Sequence, residues 1–366
     1  MNIAILGTRG VPANYGGFET FAEECASRLV TRGHRVTVYG RSHYIPKSLR
    51  SHRGIELVVL PSLRSKYLDT VTHTFLSVLH ALGRRFDAIL ICNAANSIYA
   101  WLPRLFGTPV ALNVDGIERM RLKWGVLGRT YYHLCEYLST ILPNAIVTDA
   151  RVIERYYREH YDASSVYIPY GAITDKPDGT STLEALGLAP RDYFLYVSRL
   201  EPENNAHLVV RAFEKVETPR RLVVVGDAPY ARDYIRSVKS TRDDRVLFPG
   251  AIYGHGYREL MGNAFCYIHA TEVGGTHPAL LEAMGQGNLI IVNGTPENRE
   301  VLGDCGLVYR KNDTTDLARL LQDVAGHPEA YEGLRRAALG RAISEYSWDN
   351  IVARYEELFA GMATRS

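Results

Sequence analysis

The stretch from Ala264 to Val292, AFCYIHATEVGGTHPALLEAMGQGNLIIV, reads as strand, glycine turn, helix and strand. Residues 265–269 are a short apolar run of strand formers, Gly274 and Gly275 break it, and Pro278 stands where a helix takes its first residue. A helix is expected to start within residues 276–278, after the turn Gly274-Gly275-Thr276-His277. Its free N–H groups and positive dipole end would face the crevice above the preceding strand, a place suited to phosphate. Glu282 lies one turn deeper on roughly the same face, where an acid either binds hydroxyls or merely favours the helix dipole.

Outward from this stretch, the same alternation continues in both directions. In the first half, strands are expected at residues 2–6, 35–39, 56–60, 88–92, 109–113, 145–148 and 166–168, with helical patterns between most of them. The first helix, 18–32, places Phe18, Phe21, Ala22, Cys25, Ala26 and Leu29 on one face, and Gly33 stops it. Residues 169–191 are rich in Gly, Pro, Asp and Thr and read as a linker around one short helix. Beyond it come strands at 194–198, 221–226 and 245–248 and helices at 205–216, 230–240, 315–325, 328–345 and 348–359. Such alternation predicts an α/β chain of two doubly wound, Rossmann-like parallel-sheet domains facing a cleft lined by carboxyl ends of strands. The expected divisions are residues 1–170, 171–347 and a final helical segment, 348–366.

With 366 residues, 46% of them hydrophobic, the chain can build two cores. Five cysteines (Cys25, Cys92, Cys135, Cys266, Cys305) without paired spacing point to reduced, buried thiols rather than a disulfide frame or zinc site. The opening MNIAILG resembles no signal peptide, and no apolar run reaches membrane-spanning length, so a cytoplasmic location is expected. Net charge is +2, but residues 1–170 hold 20 Lys and Arg against 13 acids. That excess marks either a surface for anionic lipid or an anionic acceptor, or a solvated face.

Three further segments carry candidate chemistry. The loop GTRGVPANYGGFE after the first strand lacks the GxGxxG spacing, which disfavours a dehydrogenase, and sets Gly16 and Gly17 just before a helix N-terminus. The loop serves either to cradle a ligand or as a structural turn. NVDGIERMRLKWG puts Asp115 at the mouth of the sheet, where it orients a hydroxyl, acts as a base or caps the next turn. Behind it Arg119, Arg121, Lys123 and Trp124, with Arg129, Tyr131 and Tyr132, mix cations and aromatics as interfaces do, making this the expected acceptor or membrane side. Acids such as Glu118 and Glu136 interrupt the run, against a nucleic-acid footprint. In the second half YVSRLEPENN carries Arg199 and Asn204, and VVVGDAP ends on Gly226 and Asp227. No Asp-x-Asp, GxxxxGK[ST], HExxH or paired CxxC occurs.

Taken together, EVGGTHPALLEAM, RLEPENN, VVVGDAP and GTRGVPANYGGFE resemble the signatures of retaining family-four glycosyltransferases of the GT-B fold, over nearly the whole chain. The resemblance extends to the bacterial branch of rhamnosyltransferases in cell-wall and surface polysaccharide assembly. It implies that Glu282 binds the ribose of a nucleotide sugar and that Arg199 neutralises the diphosphate. It also implies that Asp115 faces the reacting sugar, and that the final helix crosses back toward the first domain. Two departures stand out: Gly274 replaces the first signature glutamate, and Asn204 and Asn205 replace a Lys-Gly pair. The expected activity is transfer of a sugar, best rhamnose from dTDP-rhamnose, to a lipid-linked saccharide at the inner membrane face, without cofactor or metal. The alternatives are a hexosyl or N-acetylhexosaminyl transferase using a UDP- or GDP-sugar, a non-catalytic sugar-nucleotide-binding subunit, and a sugar-nucleotide epimerase.

Overall fold

The computed structural model of the chain describes every residue except Asn14, Tyr15, Lys66, Leu122, Lys123, Pro229, Arg365 and Ser366. It comprises two compact units, Met1–Gly171 with Trp348–Ser366, and Ala172–Ser347. In the first, β1 (Asn2–Leu6), α1 (Gly17–Thr31), β2 (Arg35–Arg41), β3 (Ser51–His52), β4 (Ile55–Leu60) and α2 (Asp69–Leu82) are followed by β5 (Ala88–Cys92) and α3 (Trp101–Leu105). Then come β6 (Val110–Asn113), α4 (Val126–Ser139), β7 (Ala145–Thr148), α5 (Arg151–Tyr161) and β8 (Val166–Tyr167). The sheet order is β3-β4-β2-β1-β5-β6-β7-β8, parallel except for the β3–β4 hairpin. Strand β5, AILIC, is buried at every position, as a strand covered on both faces must be.

The second unit runs α6 (Ser181–Ala185), β9 (Tyr193–Val197), α7 (Ala206–Phe213), β10 (Arg221–Val225), α8 (Arg232–Val238), β11 (Val246–Gly250) and α9 (Gly254–Gly262). It continues with β12 (Cys266–His269), α10 (Pro278–Gly285), β13 (Leu289–Asn293), α11 (Pro296–Leu302), β14 (Leu307–Tyr309), α12 (Thr314–Gly326) and α13 (Glu332–Glu345). Its sheet is parallel in the order β11-β10-β9-β12-β13-β14. Numbered from β9, this is the 3-2-1-4-5-6 order of dinucleotide-binding sheets, with its switch point between β9 and β12. In the first unit the order likewise reverses between β1 and β5.

The last helix, α14 (Trp348–Ala363), belongs to the first unit. It packs on α1 through Phe21, whose ring stacks on Trp348 at 6.4 Å and lies 5.4 Å from Tyr355. Arg32 and His34 each pair with Glu356 at 2.7 Å, and the Asn113 amide donates to the Tyr355 hydroxyl at 3.2 Å. Helix α9, helix α11 and strand β14 have no counterpart in the sequence pattern described above. Cys25, Cys92, Cys135 and Cys266 are buried and Cys305 partly so, all five as free thiols. Burial pushes the Cys25 and Cys266 thiols up to about 12, which leaves them unreactive. Among the described residues no helix is long and apolar enough to cross a membrane.

Candidate functional site

In the second unit the candidate residues gather at the carboxyl ends of β9, β10 and β12. Helix α10 starts at Pro278 with His277 as its N-cap, so its first-turn amides open at the end of β12. Glu282 is buried on this helix, and the hydroxyl of Tyr257, from α9, donates to its Oε2. Burial and the Glu282 charge push the Tyr257 phenol well above its ordinary range, so it remains a donor. Nothing in the sequence pattern singled out Tyr257, because α9 holds three glycines and shows no clear apolar period.

Arg199 follows β9, partly exposed, with its Nη1 3.6 Å from Glu201 Oε2. Asn204 is buried, and its amide nitrogen donates 2.7 Å to the Arg199 carbonyl. That bond ties Asn204 to the turn bearing Arg199. Gly226, at the end of β10, has φ of 147°, and a Cβ there would lie 1.8 Å from the Ser198 carbonyl oxygen. Only glycine permits that approach. Asp227 is exposed, with its carboxylate accepting from the Ala228 amide at 2.8 Å. Thr276 and Gly275 are buried in the turn before α10.

In the first unit Asp115 follows β6 with φ of 56°, a conformation aspartate tolerates better than most residues. The Tyr170 hydroxyl donates to its Oδ1 at 3.3 Å, and Asp149, at the end of the neighbouring β7, also hydrogen-bonds it. Burial first, and the Glu118 charge second, raise the Asp115 pKa. Asp149 was missed in sequence because only the β6–β7 pairing brings it beside Asp115. Gly16 and Gly17 begin α1, but Gly16 is extended at φ of −166°. The loop's left-handed glycines are Gly7 and Gly10, and a Cβ on Gly7 would lie 2.3 Å from the Cys92 carbonyl oxygen.

The expected basic cluster is corrected by its partners. Arg121 is buried and pairs with Glu118 at 2.5 Å, while Arg119 pairs with Glu136 at 3.0 Å and donates to the Tyr156 hydroxyl at 2.7 Å. Tyr132 is buried, the Tyr131 hydroxyl donates to the Ala95 carbonyl at 2.7 Å, and partly buried Trp124 packs on Tyr67 and Tyr132. A guanidinium desolvated against a carboxylate presents no charge to a lipid surface. Lys123 lies outside the described residues.

Two family models match the chain: a glycosyl transferase 4-like domain over residues 16–171, and glycosyl transferases group 1 over residues 191–327. The chain is similar to glycosyltransferases in both of its units. Curated relatives include O-antigen chain mannosyltransferase B of Escherichia coli, 26% identical over 51% of the chain and 49% of that protein. Another is the lipopolysaccharide 1,2-N-acetylglucosaminetransferase of Salmonella typhimurium, 25% identical over 58% and 61%. These matches thus span about half the length of the first relative. Among solved structures, sucrose-phosphate synthase from Thermosynechococcus elongatus has a TM-score of 0.82 at 16% identity, covering all of both chains. Anabaena HepE in complex with UDP-glucose has a TM-score of 0.81 at 17% identity, over 99% and 100% of the two chains. These likenesses show that both units carry the GT-B fold.

Gly274, in the turn before α10, has φ of 155°. A Cβ built there would lie 2.5 Å from His277 Cε1 and 2.7 Å from its Nε2, so the imidazole fills the space a side chain would need. The His277 ring also lies 4.8 Å from that of His269, the last residue of β12. His269 is fully desolvated, and burial lowers its pKa to about 3.

Proposed function

We propose that the protein transfers a sugar from a nucleotide donor to a lipid-linked saccharide in surface polysaccharide assembly, working peripherally at the cytoplasmic membrane face. The observation that carries this is the convergence, at the β9/β12 switch point, of Arg199, the α10 N-terminus and the Tyr257-held carboxylate of Glu282. A ribose would sit on Glu282, while Arg199 and the α10 amides stabilise charge growing on the departing nucleoside diphosphate. Gly226 and Asp227 border the same donor site. In the first unit Asp115 would orient an acceptor or sugar hydroxyl, or accept its proton as a base. A raised pKa strengthens it as a base. The roles of the relatives, an O-antigen chain mannosyltransferase and a lipopolysaccharide N-acetylglucosaminetransferase, support the acceptor class.

For the donor, dTDP-rhamnose is favoured by the motif resemblance and by a turn at Gly274 that offers an imidazole where an acid would contact sugar hydroxyls. A UDP- or GDP-hexose is the second reading, favoured by the mannosyl and N-acetylglucosaminyl relatives and by the UDP-bound neighbour structures. With no Asp-x-Asp to hold a metal diphosphate, transfer is expected to proceed without a divalent ion. A thermal-shift screen of nucleotide sugars, followed by single-turnover transfer to a lipid extract with and without EDTA, tests these points. Turnover of dTDP-rhamnose that survives EDTA is expected. Preference for a UDP- or GDP-hexose would replace the donor, strict metal dependence would replace the leaving-group account, and tight binding without transfer would leave a sugar-nucleotide-binding subunit.

A further inference from the structure

Exposed large apolar side chains are unevenly distributed: fourteen of the eighteen among the described residues lie between Leu63 and Ile141 of the first unit. Helix α4 concentrates them. Its solvent-facing positions are Val126, Leu127, Arg129, Thr130, His133, Leu134 and Tyr137, which follow the helical period along one stripe. Val126 is 82% exposed and Leu127 85%, at the free end of the helix. The only acid on α4, Glu136, is buried and paired with Arg119. A stripe of aliphatic and aromatic residues interleaved with Arg and His, and free of acids, fits a layer that is apolar within and anionic outside.

The neighbouring helices repeat the composition. Helix α3 and its end expose Trp101, Arg104, Leu105 and Phe106, and the Arg104 guanidinium reaches the Ile141 and Pro143 carbonyls at 3.4 Å, fixing α3 beside the end of α4. Trp101, Leu105 and Asn144 border one groove there. At the other end Tyr67, before α2, packs 5.7 Å from Trp124, just before α4. Acids do not compensate. Between residues 61 and 144 Glu118 and Glu136 are buried, and Asp69 and Asp115 are partly buried. The one exposed carboxylate described is Asp87, at the amino end of β5, where it accepts the Asn2 amide at 2.6 Å.

We propose that the α3–α4 face of the first unit docks on an anionic bilayer, with Val126 and Leu127 entering the acyl boundary and Arg104, Arg129 and His133 at headgroup level. It deepens the membrane part of the function proposed above and moves it from Arg119, Arg121 and Trp124 to side chains that face solvent. Apolar insertion also separates it from purely electrostatic adsorption, which salt would abolish.

The test is flotation of the full chain with vesicles of phosphatidylglycerol and phosphatidylethanolamine, or of phosphatidylcholine alone, at low and high salt and without donor. Binding to the anionic vesicles is expected, with part retained at high salt. The double variant Val126→Asp/Leu127→Asp should bind at least about ten-fold less, whereas Arg50→Glu, exposed but outside the face, should bind as the parent does. Quenching of Trp101, the exposed tryptophan, by brominated lipid should accompany binding. Equal affinity for neutral vesicles, unchanged binding by the double variant, or a dimer that the double variant dissociates would each overturn the proposal, the last by making the face a contact between copies. Nucleotide binding, measured separately by thermal shift, reports on the donor site whatever the vesicles show.

Discussion

At the scale of single residues, Tyr257 and Glu282 show how a candidate site carboxylate is held by a side chain from another helix. The phenol occupies one carboxylate oxygen and holds the acid in one orientation. Glu282→Ala is expected to weaken nucleoside diphosphate binding by about 1–3 kcal/mol, and Tyr257→Phe by about 1 kcal/mol, roughly five-fold. Calorimetry with the nucleoside diphosphate and its 2′,3′-dideoxy analogue separates the roles. If Glu282→Ala still discriminates the two, the acid is not on the ribose. If it no longer does while Tyr257→Phe keeps full discrimination, the phenol only packs. Glu282 was visible in the sequence because its place is set by local helix geometry. Tyr257 was not, because it reaches Glu282 from another helix. Arg121 illustrates the converse: its charge was legible, but not the burial against Glu118 that silences it.

Among the elements, those with strong local signals were read closely from sequence. Strands β5 and β7 have the expected bounds, since apolar runs between punctuating residues define them. Helix α9 escaped because Gly254, Gly256 and Gly262 give a poor helix former that tertiary packing sustains, and β14 is only three residues long. Helix α14 was readable as a helix, but the aromatic pocket it fills was not. Tyr355 is fully buried against Phe21 and Phe359 and also accepts from Asn113. Tyr355→Ala should therefore destabilise the first unit by about 3–5 kcal/mol through the cavity it leaves. Urea unfolding, with hydrogen exchange assigning the loss to the first unit, checks this. A loss below 1 kcal/mol would mean that α14 contributes little to that core.

For the whole molecule, a buried neutral histidine in each unit contributes to the loss of stability in mild acid. His73 in the first and His269 in the second have pKa values lowered to about 3, chiefly by burial. The unfolded chain takes up these protons near pH 6.5 and the folded chain does not, so stability is lost as pH falls from there toward 3. Each histidine contributes a slope of about 1.4 kcal/mol per pH unit to its unit. Asp115 acts in the opposite sense, since its raised pKa makes the protonated folded form the favoured one in acid. Urea midpoints at pH 7, 6 and 5 should fall steadily, and His73→Gln with His269→Gln should flatten the decline; a parent midpoint constant from pH 7 to 5 would contradict it.

The return of α14 to the first unit has a consequence during synthesis. The 176 residues of Ala172–Ser347 must leave the ribosome before Trp348 and Tyr355 can reach Phe21. At about 5–20 residues per second, that is roughly 10–35 s in which the first-made sheet exists with one helix of its covering layer not yet translated. A nascent chain in that interval exposes the apolar side of α1, so the second unit can finish folding before the first one does. The state most in need of a chaperone's shelter is thus a late one, with the second unit already made and α14 still to come.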